Sequence, residues 1–216
     1  EVESLEHDAA NGRYNSLVQV DSGTYALAYV GEDDDGFIST FDIDSTGDIT
    51  PIRVANHATL GEGSSVNLEH DTVYGKENSL VQVDSDTYAL AYAGSGSDGY
   101  ISTFTIDSDG NITAVKTQSL GNNLEHDTDG VIENSLVQVD SDTYALAYAE
   151  SVYDGVGWDG HISTFTISVT VTTSTSDSIC NDCTAPSLGI SNNHTDPVRV
   201  IDDGITFNEK SFDVRE

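Results

Sequence analysis

The one combination of chemistry-bearing residues that recurs in this chain is Glu-His-Asp. It follows a leucine at Glu6-His7-Asp8, Glu69-His70-Asp71 and Glu125-His126-Asp127. An imidazole between two carboxylates can ligate a metal ion, and three such triplets around a pseudo-symmetry axis could share one. The same triplet also makes sense as structure. A buried imidazole needs partners, and a His bonded to Ser/Thr and Asp between repeated units would fasten one unit to the next. The Asn-Ser pairs that begin at Asn15, Asn78 and Asn134 could supply those bonds. An inter-repeat structural network is the preferred reading, and a weak metal site the alternative. Three equal copies also argue against catalysis, which calls for one asymmetric constellation.

The other candidates are single features. Asp107-Ser108-Asp109-Gly110-Asn111 looks like a fragment of a calcium loop, with Asp107, Asp109 and Asn111 as the ligating types. It lacks EF-hand spacing and falls where a hairpin turn is already needed, so a turn is the preferred reading. Asp33-Asp34-Asp35 reads as a solvated loop or a weak cation site. The third repeat alone carries an insertion in which Tyr153, Asp154, Trp158, Asp159 and His161 share a Gly-rich loop. Aromatic faces beside carboxylates suit sugar binding, while a lone Trp can equally pack on the scaffold or on a neighbouring subunit. Asn111-Ile112-Thr113 and Asn193-His194-Thr195 are N-glycosylation sequons. Cys180 and Cys183 form a lone CxxC, read as a local disulfide over half a zinc site or a redox motif. Nucleophile elbows and zinc-protease helices are absent from the sequence, and the expectation is a protein that is not an enzyme.

Charge narrows the partners. Among 216 residues there are 7 Lys+Arg and 38 Asp+Glu, a formal net charge of -31. Such a chain repels the phosphate backbone and anionic lipid, so neither nucleic acid nor direct membrane insertion is expected. It favours cations or a salty medium that screens self-repulsion. The chain lacks Met and starts at Glu1, as a processed or excised product would, and it has no apolar run of membrane-spanning length. The CxxC, read as a disulfide, suits an oxidising compartment.

The elements that carry these residues are set by internal repetition. Leu-Glu-His-Asp at 5, 68 and 124 is followed each time by Asn-Ser-Leu-Val-Gln-Val-Asp-Ser, then Thr-Tyr-Ala-Leu-Ala-Tyr, then Ile-Ser-Thr-Phe. Short β-branched and aromatic runs bounded by Gly, Asp, Asn and Ser predict four strands per copy. In the second copy these are Leu80–Val83, Tyr88–Ala93, Tyr100–Ile106 and Ile112 to about Ser119. Tyr88–Ala93 is apolar on both faces, so it must be covered on both, and its alanines imply a close neighbouring sheet.

The fold expected is therefore all-β: three tandem four-stranded antiparallel repeats, β-propeller-like or prism-like, plus a C-terminal β extension. The three-repeat domain spans 1–168, with repeats at about 5–67, 68–123 and 124–168. A Ser/Thr-rich connector with the CxxC covers 169–184. The segment 185–216 is a further β segment, part of another β domain or an exchanged strand. The third repeat lacks a fourth-strand signature, and the N-terminal residues match the end of one. They could close a ring within the molecule or pair with a neighbour.

The run Glu77–Ala93 with Asp98–Ile106 resembles tandem repeats of large, mostly uncharacterised archaeal cell-surface proteins, especially those of ammonia-oxidising archaea. Residues 183–190 and 204–213 similarly resemble the opening of a β domain that follows in such proteins. The resemblance implies an extracellular location and a propeller-like fold, and supplies no activity. The function expected is a non-catalytic extracellular structural protein, a filament subunit joined by β-strand exchange. The alternative is a carbohydrate- or calcium-binding adhesion module. Self-association is the main partnership expected, with glycans as a further one.

Overall fold

The computed structural model describes residues 2–52, 64–65, 67–117, 120–151, 157–168 and 206–212, with side chains except at 64–65, 168 and 206–212. Within them the protein is all-β, as the sequence predicts. The helical content of the described residues is two three-residue 3-10 turns, Glu32–Asp34 and Ser95–Ser97. Three sheets form, all of them antiparallel, and none closes on itself.

The first sheet runs β1 (Arg13–Gln19), β2 (Thr24–Val30), β3 (Gly36–Ile43), β4 (Ile49–Pro51), and β6 (Asn67–Asp71) also pairs β3. The second runs β7 (Lys76–Gln82), β8 (Thr87–Ala93), β9 (Gly99–Ile106), β10 (Ile112–Lys116). Here β5 (Ser64–Ser65) extends β10, and β11 (Leu124–Asp127) pairs β9. The third runs β12 (Val131–Gln138), β13 (Thr143–Ser151), β14 (Trp158–Ser168), β15 (Thr206–Phe212).

The fourth strand of the first two sheets is thus built in two pieces along one edge. β4 pairs Phe41 to Ile43 of β3, and β6 pairs Gly36 to Ser39. The Leu-Glu-His-Asp motifs that open the second and third repeats in the sequence close the preceding sheets in space. In the third sheet the fourth strand is supplied by residues 206–212, which the sequence sets apart from the repeats. The N-terminal residues do not close a ring onto that sheet. They lie against the first one, where the Ile49 N–H donates to the Glu3 carboxylate and Val2 borders Gly47.

Local chemistry explains the hairpins. Asp21 Oδ1 accepts the N–H groups of Gly23 and Thr24, each at 2.9 Å, and Asp84 Oδ1 accepts those of Asp86 and Thr87 at 3.1 and 3.0 Å. A side-chain carboxylate bonded to N–H groups two and three residues on is an Asx turn. Each first strand starts through a bulge whose left-handed residue is not glycine: Tyr14, Glu77 and Glu133, with φ of 54, 55 and 59°. Asn15 and Asn78 brace the first two bulges by donating to the carbonyls of Gly12 and Gly75, at 3.0 and 2.9 Å.

The sheets pack face to face, and each has two unlike faces. Along β8, Tyr88, Leu90 and Tyr92 join Leu80, Phe104 and Ile106 against Ala26, Ala28 and Ile38 of the first sheet. On the other side Ala89, Ala91 and Ile101 meet Tyr144, Leu146 and Tyr148 of the third. Large side chains therefore fit over small ones at both contacts, which lets the sheets approach closely without voids. The tyrosine hydroxyls stay satisfied: Gln82 Nε2 donates to Tyr88 at 3.2 Å, and Tyr144 donates to the Val83 carbonyl at 3.2 Å. The double coverage predicted for Tyr88–Ala93 is observed, every residue of β8 being buried.

Leu80 and Leu17 occupy the same repeat position, yet Leu80 is 8% exposed and Leu17 57%. Leu80→Ala is expected to lower unfolding free energy by about 2–5 kcal/mol. Leu17→Ala is expected to change it by no more than about 0.5 kcal/mol. Urea titrations of dilute protein check the pair.

Candidate functional site

The Glu-His-Asp triplets divide their side chains among three jobs. The leucine before each faces the core. Glu69 and Glu125 point outward and are exposed. His70 leaves the first sheet and enters the second, meeting Tyr92 edge-on at 4.7 Å and Phe104 at 6.1 Å. His126 repeats this one sheet later, on Tyr148 at 5.0 Å and Phe165 at 6.0 Å. His7 meets Tyr29 of the first sheet at 4.8 Å. The hydrogen bonds expected from the Asn-Ser pairs do not form: neither ring nitrogen of His70 or His126 has a partner among the described residues. Asn78 is engaged with its own bulge. Ser16 and Ser79 instead bridge the sheets, accepting the N–H groups of Leu80 and Leu136, each at 2.9 Å.

Glycines make room for the triplets, two at the joint of His70 and one at that of His126, and sequence reasoning missed them. A Cβ on Gly36 would lie 2.5 Å from the His70 ring, and one on Gly99 would lie 2.4 Å from that of His126. Gly31 and Gly94 likewise sit against Asp8 and Asp71 and against the rings of Phe37 and Tyr100. The signal was present as a glycine before an aromatic at the start of each third strand, Gly36-Phe37 and Gly99-Tyr100, with Gly160-His161 in the third repeat. The Asp of each triplet starts the crossing to the next sheet. Asp8 accepts the N–H groups of Ala10 and Asn11, Asp71 those of Val73 and Tyr74, and Asp127 that of Asp129, all at 2.8–3.0 Å.

Burial decides the charge states. It pushes His70 down to about 3 and His126 to about 4, so both rings are neutral in the fold. Burial also raises Asp71 against the pull of its two N–H donors, and raises Glu69, where Asp35 and Asp71 add repulsion. Glu150 is raised by burial first and then by the charge of Asp127 and a contact with Asp129. Ligand atoms of Asp127, Asp129 and Glu150 lie within 4.8 Å of one another. This is a different grouping from any read in the sequence. His161 lies beside Glu150 at 2.9 Å and stacks on Tyr148 at 5.3 Å.

The remaining candidates fare differently. Asp107 Oδ1 accepts from the N–H groups of Asp109 and Asn111, and the Asn111 amide donates to both Asp107 oxygens. The turn therefore uses Asp107 and Asn111 internally, while Asp109 is exposed. Its Gly110 carbonyl accepts from Thr40 Oγ1 of the first sheet at 2.8 Å, so the turn docks between sheets. Asp34 is likewise bound across the joint by Lys76, at 2.8 Å. In the insertion, Trp158 and His161 belong to β14 but differ in parity, so they project from opposite faces. Trp158 shares its face with Ile162 and is exposed; His161 faces Tyr148. Tyr153, Asp154, Cys180, Cys183 and Asn193 lie outside the described residues.

Among the described residues, no further sheet packs on the two outer faces of the stack. The large-residue face of the first sheet forms an apolar groove of about 290 Å³, lined by Leu5, His7, Leu17, Leu27, Phe41 and Ile49 among others. The small-residue face of the third sheet exposes Val137, Val139 and Ile162. No described helix is long and apolar enough to cross a membrane. No protein-family model matches this chain, and neither does any curated protein.

Two outcomes follow from the charge states. His70 and His126 have folded values below the ordinary 6.5, so the unfolded chain binds their protons first. Their contribution is whole above that value and is lost as pH falls toward about 4 and about 3. Denaturation midpoints should drop across that window, and His126→Leu should flatten the slope. Glu150 behaves oppositely: its raised value means that ionisation opposes folding. Asp129→Asn should therefore raise the melting temperature at pH 7, and the gain should vanish in acid, where these carboxylates are protonated. Thermal scans at both pH values read the difference.

Proposed function

We propose that this chain is a non-catalytic extracellular structural protein of the cell surface, whose sheets stack as propeller-like blades and which assembles with copies of itself. The observation that carries the reading is repetition of one joint: His70 and His126 fasten successive sheets through equivalent rings, and equivalent large-on-small faces close both contacts. Side-by-side first strands, bridged by Ser16 to Leu80 and Ser79 to Leu136, support the propeller-like reading. The triplets around His70 and His126 occupy equivalent places between sheets, which favours a scaffold over an active site. The strong negative charge favours a salty exterior, where self-repulsion is screened.

Sedimentation velocity over a range of concentration and salt, with negative-stain microscopy of the same samples, tests this reading. Rings or filaments are expected, with mass rising with concentration and salt. Removal of residues 1–8 is expected to reduce assembly by stripping Leu5 and His7 from the first sheet. A species that stays monomeric throughout would overturn it.

A further inference from the structure

We infer that copies of this chain join head to tail through a third instance of the joint built twice inside it. The small-residue face of the third sheet in one copy covers the apolar groove of the first sheet in the next, and Leu5–Asp8 of that next copy lies along the free edge of β14. The inference rests on the self-assembly reading above and specifies its contact.

Three independent features match. The first is burial at equivalent positions. Val83 is 7% exposed but Val139 is 63%; Ile38 and Ile101 are 0% exposed but Ile162 is 52%. Leu17 shows the same contrast at the opposite end. The exposed residues of the two ends are the two halves of one interface, because each sheet has a large face and a small face. A second copy supplies the missing half to both ends at once, and such a heterologous contact closes a ring or continues as a filament.

The second feature is an edge that no described residue pairs. β15 pairs β14 only from Ile162 to Ser168. Trp158 to His161 pair with β13 alone among the described strands. In the first two sheets the matching stretch is occupied by Leu68–Asp71 and Leu124–Asp127. The difference reaches side-chain level: Gly36 and Gly99 are pressed by His70 and His126, whereas a Cβ on Gly160 would meet none of the described residues within 4 Å.

The third feature is a donor already poised. Leu5-Glu6-His7-Asp8 repeats the sequence of both internal locking segments. His7 already sits on Tyr29 as His70 sits on Tyr92, so the segment grips the sheet after it, and among the described residues its other side meets no sheet. Carrying over the register of β6 on β3 sets Asp8 opposite Gly160, Glu6 opposite His161 and Leu5 opposite Ile162. Phe212 then gives up its place beside Ile162. Ser135 would accept the Leu17 N–H of the next copy, as Ser79 accepts that of Leu136.

Paired single-cysteine chains test the contact. In the 216-residue chain with Cys180 and Cys183 changed to Ser, one batch carries Ser135→Cys and the other Leu17→Cys. Mild oxidation in salt should give covalent dimer in the mixture and little in either batch alone. Val139→Asp in the Ser135→Cys batch should abolish it, with unchanged circular dichroism showing that the exposed position leaves the fold intact. Assembly by sedimentation without cross-linking in the mixture would overturn this joint and leave self-assembly standing. Absence of assembly would overturn both. Monomers whose two cysteines resist thiol reagents would show that another segment of the chain covers these faces, which also overturns the joint.

Discussion

Each sheet of this protein has a large face and a small one, and the rest of the architecture depends on that difference. Tyrosine and leucine on one side of the second strand, alanine on the other, make a sheet fit only against the opposite face of a neighbour. Stacking therefore has a direction. Two like faces would clash large on large or leave a gap small on small, and both errors weaken a packed interior. Direction is what makes the two ends of the molecule chemically different from each other.

The His joint works within that direction. A neutral imidazole without hydrogen-bond partners is an unusual filling for a core, since an unmet polar group costs about 1–3 kcal/mol. Here it is held edge-on to Tyr92 or Tyr148 and admitted by Gly36 or Gly99, where any side chain would collide with the ring. The ring belongs to one sheet by its backbone and to the next by its packing. Neighbouring sheets are thus coupled through a single residue as well as through broad apolar contact. The adjoining Asp holds the crossing in place with its N–H bonds, so the motif couples one sheet's edge to the path of the next.

Much of this is legible in the chain because repetition exposes it. The strands of each copy and the double coverage of Tyr88–Ala93 follow from residue pattern. The fourth strand is less legible. β4 and β6 are separated in sequence, so one edge of a sheet is written as two unrelated pieces. The strand at 206–212 is hidden further, because it resembles none of its counterparts and pairing is a matter of backbone alone. The partners of His70 were misjudged from composition: Asn78 and Ser79 are near in sequence, but the bulge and the strand bridge claim them first. The grouping of Asp127, Asp129 and Glu150 required the register of β12 on β13, which no local motif encodes.

The split outer strand has an evolutionary consequence. β4 ends at Pro51 and β6 begins at Asn67, whereas β10 ends at Lys116 and β11 begins at Leu124. Both pairs of pieces land correctly on their sheet although the intervals differ in length. The rim is therefore a place where sequence can be gained, lost or exchanged while the buried faces stay unchanged. A lineage could diversify what it displays there without redesigning how its units hold together, and an engineer could graft peptides at the same position.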